Sequence, residues 1–196
     1  MCSSDLESQG TGTAFGVALS TDPQQRFVYI ADGSNERIAI LDRTSLEEIG
    51  HIGGPGRKAG EFFHLHSLGV DPDGNLVTGE SQGYRVQAFT LEGKFIKEGF
   101  IKRESEGTGT AFGVALSTDP AQRFLYIADG SNERIAILDR ASLQEIGHIG
   151  RPGRKAGEFF HLHSLDVDPQ GNLVTGESQG YRVQKFVFKG LSTAAK

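Results

Sequence analysis

His64-Leu65-His66-Ser67-Leu68-Gly69-Val70-Asp71-Pro72-Asp73-Gly74-Asn75-Leu76-Val77-Thr78-Gly79-Glu80 decides how this chain folds. An apolar run enters an Asp-Pro-Asp-Gly turn and a second run leaves at Asn75-Leu76, the pattern of two short antiparallel strands. The stretch returns nearly unchanged as His161-Leu162-His163 through Glu177. Working outward, the match extends from Gly10–Phe89 to Gly107–Phe186, an offset of 97 residues. The few differences include Gln24/Ala121, Val28/Leu125, Gly54/Arg151, Gly69/Asp166 and Ala88/Lys185.

Each half divides again. Phe15-Gly16-Val17-Ala18-Leu19 corresponds to His66-Ser67-Leu68-Gly69-Val70, and Arg37–Asp42 corresponds to Arg85–Thr90, giving four units of about 48 residues. Inside a unit, segments of four to seven residues rich in Val, Ile, Leu and Phe are punctuated by turn residues. Helical spacing is sustained nowhere. Several short strands per unit, repeated, predict an all-β propeller.

Composition agrees. Twenty-seven glycines against one Met and no Trp predict many tight turns. Apolar content of 37% with 23% charged residues suits a packed globular protein. A net charge of −5 and the lack of a Lys/Arg cluster interleaved with aromatics argue against a nucleic-acid partner. No apolar run approaches the roughly 20 residues of a membrane helix. Cys2 is the single cysteine, so neither an internal disulfide nor a thiolate metal cluster is expected.

The even unit, with Gly69-Val70-Asp71-Pro72-Asp73-Gly74-Asn75-Leu76, Arg85-Val86-Gln87-Ala88-Phe89 and Leu91-Glu92-Gly93-Lys94-Phe95, resembles the NHL-type β-propellers. The odd unit resembles them through Tyr29-Ile30-Ala31-Asp32 and Arg37-Ile38, and the likeness covers residues 14–190. Gly150-Arg151-Pro152-Gly153-Arg154-Lys155-Ala156-Gly157-Glu158-Phe159 and the His-Ser strand starts resemble, more narrowly, bacterial six-bladed propellers similar to peptidyl-α-hydroxyglycine α-amidating lyases. That resemblance implies an extracytoplasmic setting, and it implies zinc held by histidines from the first strands of separate blades. His66 and His163 match the ligand position. His64 and His161 are the nearby candidates for completing the set.

The expected blades are 7–62, 63–106, 107–159 and 160–196, the last without its outer strand. Residues 1–6 fall outside the repeat and read as a non-native leader. Four blades with an unfilled slot suggest part of a six-bladed ring; a closed four-bladed ring, or two chains forming a larger one, are the alternatives. Open blade edges also suggest self-association.

Strand order places His64, His66, the Glu80–Tyr84 loop and the 53–63 connector on one face beside the channel, with their second-half counterparts. Glu80, Tyr84, Arg85, Glu177, Tyr181 and Arg182 are the candidate ligand-binding residues there. The acid–arginine pairs admit two readings, a substrate-carboxylate site or a salt bridge that every blade repeats. The histidines likewise admit zinc binding or the capping of strand starts. Gly53-Gly54-Pro55-Gly56-Arg57-Lys58 is not a phosphate loop, because a strand rather than a helix follows it.

The leading functional expectation is a binding scaffold that presents a peptide or small-molecule site at the channel mouth. The runner-up is a zinc-dependent lyase-like enzyme, or a fragment of one. A recent or engineered duplication without an evolved ligand is the third.

Overall fold

The computed structural model describes residues 14–189. It is all-β, with fifteen strands in four antiparallel sheets and no helix among the described residues. The first sheet holds β1 (Ala14–Leu19), β2 (Phe27–Asp32), β3 (Arg37–Asp42) and β4 (Glu48–Ile52). The second holds β5 (Leu65–Val70), β6 (Leu76–Glu80), β7 (Arg85–Phe89) and β8 (Phe95–Phe100). The third holds β9 (Ala111–Leu116), β10 (Phe124–Asp129), β11 (Arg134–Asp139) and β12 (Glu145–Ile149). The fourth holds β13 (Leu162–Val167), β14 (Leu173–Glu177) and β15 (Arg182–Phe186).

Strands pair in chain order within each sheet, as expected of propeller blades joined by tight turns. β1, β5, β9 and β13 are the inner strands, and consecutive ones pack against each other. The expected leader at 1–6 lies outside the described residues.

Apolar residues on β6 and β7 are buried because both faces of that blade meet a neighbouring blade. Tyr29, Ile38, Ile52, Phe62, Leu76 and Phe89 join blades 1 and 2. Val77 and Val86 of blade 2 meet Ile101, Leu125, Ile127 and Leu138. Polar links reinforce that second interface: Arg140 donates to Asp71 at 2.9 Å and to Asp73 at 2.8 Å, and Lys97 donates to the carbonyls of Arg140 and Ala141.

The duplication provides an internal comparison. Val86, beneath blade 3, is fully buried, whereas its counterpart Val183 on the last blade is 71% exposed. Phe112 is buried beneath blade 2, whereas Phe15 is 44% exposed. Identical residues thus differ only in whether a neighbouring blade covers them, which is how stability is distributed in repeat architectures.

Candidate functional site

The inner strand of every blade carries a β-bulge at the same position. Pairing steps from Ala14 to Gly16 against Asp32 and Ala31, and from Leu65 to Ser67 against Glu80 and Gly79. It steps from Ala111 to Gly113 against Asp129 and Ala128, and from Leu162 to Ser164 against Glu177 and Gly176. The extra residue is Phe15, His66, Phe112 and His163 in turn. A bulge leaves one residue unpaired, bends the strand and re-aims the side chain.

The four re-aimed rings converge. Phe15 stacks on His66 with centroids 5.0 Å apart, and Phe112 meets His66 edge-on at 5.0 Å. His163 lies 5.2 Å from Phe112 and 4.9 Å from His66. Gly33 and Gly130 seat the phenyl rings, since a Cβ at either would overlap Phe15 or Phe112.

His66 is 7% exposed and its Nδ1 lies 2.8 Å from the carbonyl oxygen of Phe112. A carbonyl only accepts, so Nδ1 carries the proton and Nε2 keeps a lone pair. Burial pushes the His66 pKa down to about 4; the neighbouring His163 and His64 add to the shift, against the Phe112 carbonyl. Burial, then His161, lowers His163 as well. Both imidazoles are therefore uncharged near neutrality.

His64 and His161 sit one step outside. Each has left-handed backbone, φ 59° and 58°, and its Nδ1 lies 2.7 Å from the hydroxyl of Ser81 or Ser178. Their backbones are clamped by glutamates of the preceding blade. Glu36 accepts from the N–H groups of His64 and Leu65 at 2.7 and 2.9 Å, and Glu133 does the same for His161 and Leu162. Sequence reasoning did not single out these glutamates; their only sign was their alternation with Tyr84 and Tyr181.

Glu80 and Arg85 are buried in a closed network. Glu80 accepts from Arg85 Nε and Nη2, from Gln87 and from the Phe63 N–H, each at 2.8 Å. Arg85 also donates to the carbonyls of Arg57, Lys58 and Glu61, tying the connector to the blade. Arg182 repeats these links to Glu177 and to the carbonyls of Arg154, Lys155 and Glu158. Burial pushes the Glu80 carboxyl up. At Glu177 burial also opposes ionisation, but Arg182, the Phe160 N–H and Gln184 outweigh it and lower the pKa.

Tyr84 and Tyr181 occupy left-handed loop tips, φ 53° and 51°. Tyr84 is half-buried, while Tyr181 is 90% exposed. Tyr181 lines an open concavity of about 440 Å³ together with His163, Glu177, Arg182 and Val183. On blade 2 the corresponding face is covered, and a Cβ at Gly79 would come within 2.9 Å of both the Ala111 carbonyl and Val114.

Four-coordinate catalytic zinc takes three protein ligands. His66 and His163 supply two, and His64 and His161 turn their Nδ1 atoms to serines. Among the described residues no group of three His, Cys, Asp or Glu side chains is arranged to hold a metal ion. These residues by themselves do not fit a zinc site.

No family model matches the chain. It is similar to a catalytically inactive virginiamycin B lyase from Staphylococcus aureus solved with quinupristin, at 14% identity and a TM-score of 0.65, over 96% of this chain and 59% of that one. It is similar to hydrazine synthase from Kuenenia stuttgartiensis, at 14% identity and a TM-score of 0.63, over 93% of this chain and 51% of that one. The Swd1 β-propeller domain from Myceliophteria thermophila matches at 11% identity and a TM-score of 0.61, over 88% of this chain and 52% of that one. The chain thus spans a little over half the length of these solved propellers. The likenesses show the β-propeller fold and, at such identities, the fold alone.

Proposed function

We propose that this chain is an NHL-type β-propeller scaffold that binds a peptide or small molecule at the channel mouth, with no chemistry of its own. The observation that carries this reading is the run of bulges at Phe15, His66, Phe112 and His163, which directs one ring from every blade to a common place. Uncharged imidazoles beside phenyl rings suit a ligand that offers apolar or aromatic surface and a hydrogen-bond donor for His66 Nε2. Tyr181, Glu177 and Arg182 border the same face and would contact the more polar part of a ligand. Glu80, Tyr84 and Arg85 serve mainly to hold its wall. The lyase-like zinc reading would need a third ligand from outside the described residues.

The test is equilibrium binding of quinupristin and a pool of short aromatic peptides, compared between the chain and its Phe112→Ala and His66→Ala variants. Saturable binding that both variants weaken supports the reading. Binding that neither variant alters, or no binding by any probe, overturns it.

A further inference from the structure

The connectors that lead into the two histidine blades each carry a cationic arm. Residues 53–64 lead into β5 and residues 150–161 into β13, and each connector turns at an Arg-Lys pair, Arg57-Lys58 and Arg154-Lys155. All four side chains are exposed. Among the described residues none of the four forms an ion pair, and the carboxylates beside them are engaged. Glu158 pairs with Arg151 at 3.0 Å and accepts the Lys155 N–H, while Glu61 accepts the Lys58 N–H.

The arms are fixed from beneath. Arg85 Nη1 donates to the carbonyls of Arg57 and Lys58, both at 3.1 Å, and Gln87 accepts from the Gly60 N–H. Arg182 and Gln184 repeat these links beneath Arg154, Lys155 and Gly157. The arginine side chains are restrained as well. Arg57 Cζ lies 3.7 Å from the centre of the Phe63 ring, and Arg154 Cζ lies 3.9 Å from that of Phe160. A guanidinium laid over a ring has less freedom left to lose when it meets a carboxylate.

Each arm adjoins the row of rings. Phe63 precedes His64, whose ring lies 6.2 Å from His66, and Phe160 precedes His161, 6.3 Å from His163. The connector into blade 3, which carries Phe112, is built differently. Arg103 covers Phe100 at 3.7 Å, but exposed Glu104 and Glu106 follow it and offset its charge. The unpaired cations thus accompany His66 and His163, whose rings are 4.9 Å apart. A chain of net charge −5 does not gather a polyanion such as RNA by long-range attraction, so local contacts must select the ligand. A planar guanidinium matches a carboxylate with two parallel N–H bonds.

We infer that the channel-mouth ligand is an acidic peptide, an aromatic side chain flanked by Asp or Glu residues. Its carboxylates bind Arg57 and Lys58 on one arm and Arg154 and Lys155 on the other. The aromatic side chain joins the row of rings, and the flanking chain crosses His64 and His161 to reach the arms. This inference rests on the channel-mouth reading and adds the charge of the ligand.

The test titrates the full chain into two labelled peptides, Asp-Asp-Phe-Asp-Asp and its neutral isostere Asn-Asn-Phe-Asn-Asn, followed by fluorescence anisotropy. At low salt the acidic peptide should bind saturably and about 10-fold tighter than the neutral one. The preference should shrink as added salt screens the exposed cations. The double variant Arg57→Gln/Arg154→Gln should erase the preference while the neutral peptide's affinity and the melting temperature stay unchanged. His66→Ala should weaken both peptides. Equal binding of the two peptides, or a preference that survives in the double variant, would overturn the acidic assignment and leave the channel reading standing. Binding of neither peptide, or binding that His66→Ala leaves unchanged, would overturn both. A single-stranded oligouridylate that binds more tightly than the acidic peptide would give the arms to nucleic acid and overturn the inference.

Discussion

The Nδ1 of His66 stands 2.8 Å from the carbonyl oxygen of Phe112, one re-aimed residue bonding the backbone of the next. Blade 2 is thereby tied to blade 3 at the channel, and the tautomer of His66 is fixed. The carbonyl of one bulged residue is thus the acceptor that orients its neighbour's ring.

Acid should weaken this protein through His66. Its folded pKa of about 4 lies below the ordinary value of 6.5, so between those values the unfolded chain binds the extra proton. Stability is then full above about pH 6.5, falls as pH drops toward 4, and levels off below that. The loss is on the order of 3 kcal/mol. Urea midpoints at several pH values measure it. His66→Phe, the residue the odd blades carry at this place, should flatten most of the dependence; an unchanged slope would assign it elsewhere.

Glu80→Ala should be more damaging than Glu177→Ala. The first leaves Arg85 buried without its main partner, a loss of about 3–5 kcal/mol. The second strands Arg182, which water already reaches, and should cost clearly less. Denaturant unfolding of the two variants decides; equal losses would mean that burial does not separate the copies.

Gly79→Ala and Gly176→Ala make a matched pair for the blade 2–blade 3 contact. At both sites the new methyl meets a serine hydroxyl at 2.6 Å, but only at Gly79 does it also press on Ala111 and Val114. Gly79→Ala should cost about 1–3 kcal/mol more than its twin, the usual range for overpacking. Thermal unfolding of both variants checks the difference.

Arg140→Ala removes the ion pairs to Asp71 and Asp73, one partner buried and the other exposed. A loss of about 1–3 kcal/mol is expected, mostly because the buried Asp71 loses its cation and keeps only its hydrogen bonds from Asn75. Asp73→Ala alone should cost less than about 1 kcal/mol. A double-mutant cycle separates the two links.

Much of this was legible in the chain itself. The 97-residue offset and the spacing of Asp-Pro and Gly turns are local signals, and they placed the strands and the shared face of the His64, His66, His161 and His163 cluster. The acid–arginine pairs recurred in every unit, and in every blade they form a salt bridge. What could not be read was anything set by a neighbouring blade. Phe15 and Phe112 give no local sign that they face the histidines, because the bulge that aims them depends on pairing with β2 and β10. Glu36 and Glu133 carry no local sign beyond alternating with Tyr84 and Tyr181, because the N–H groups they hold lie 28 and 29 residues away. Val86 and Val183 have the same sequence context and opposite burial, so no local pattern distinguishes them.

The most direct test of the channel face follows the histidine Cε1–Hε1 signals by NMR while quinupristin and aromatic peptides are added. A ligand held by the ring row should shift His66 and His163 together and saturably. His51 and His148, exposed on the outer strands β4 and β12, should stay still and serve as controls. Shifts confined to His51 and His148, or probes that bind without moving His66 and His163, would contradict a ligand site at the channel mouth.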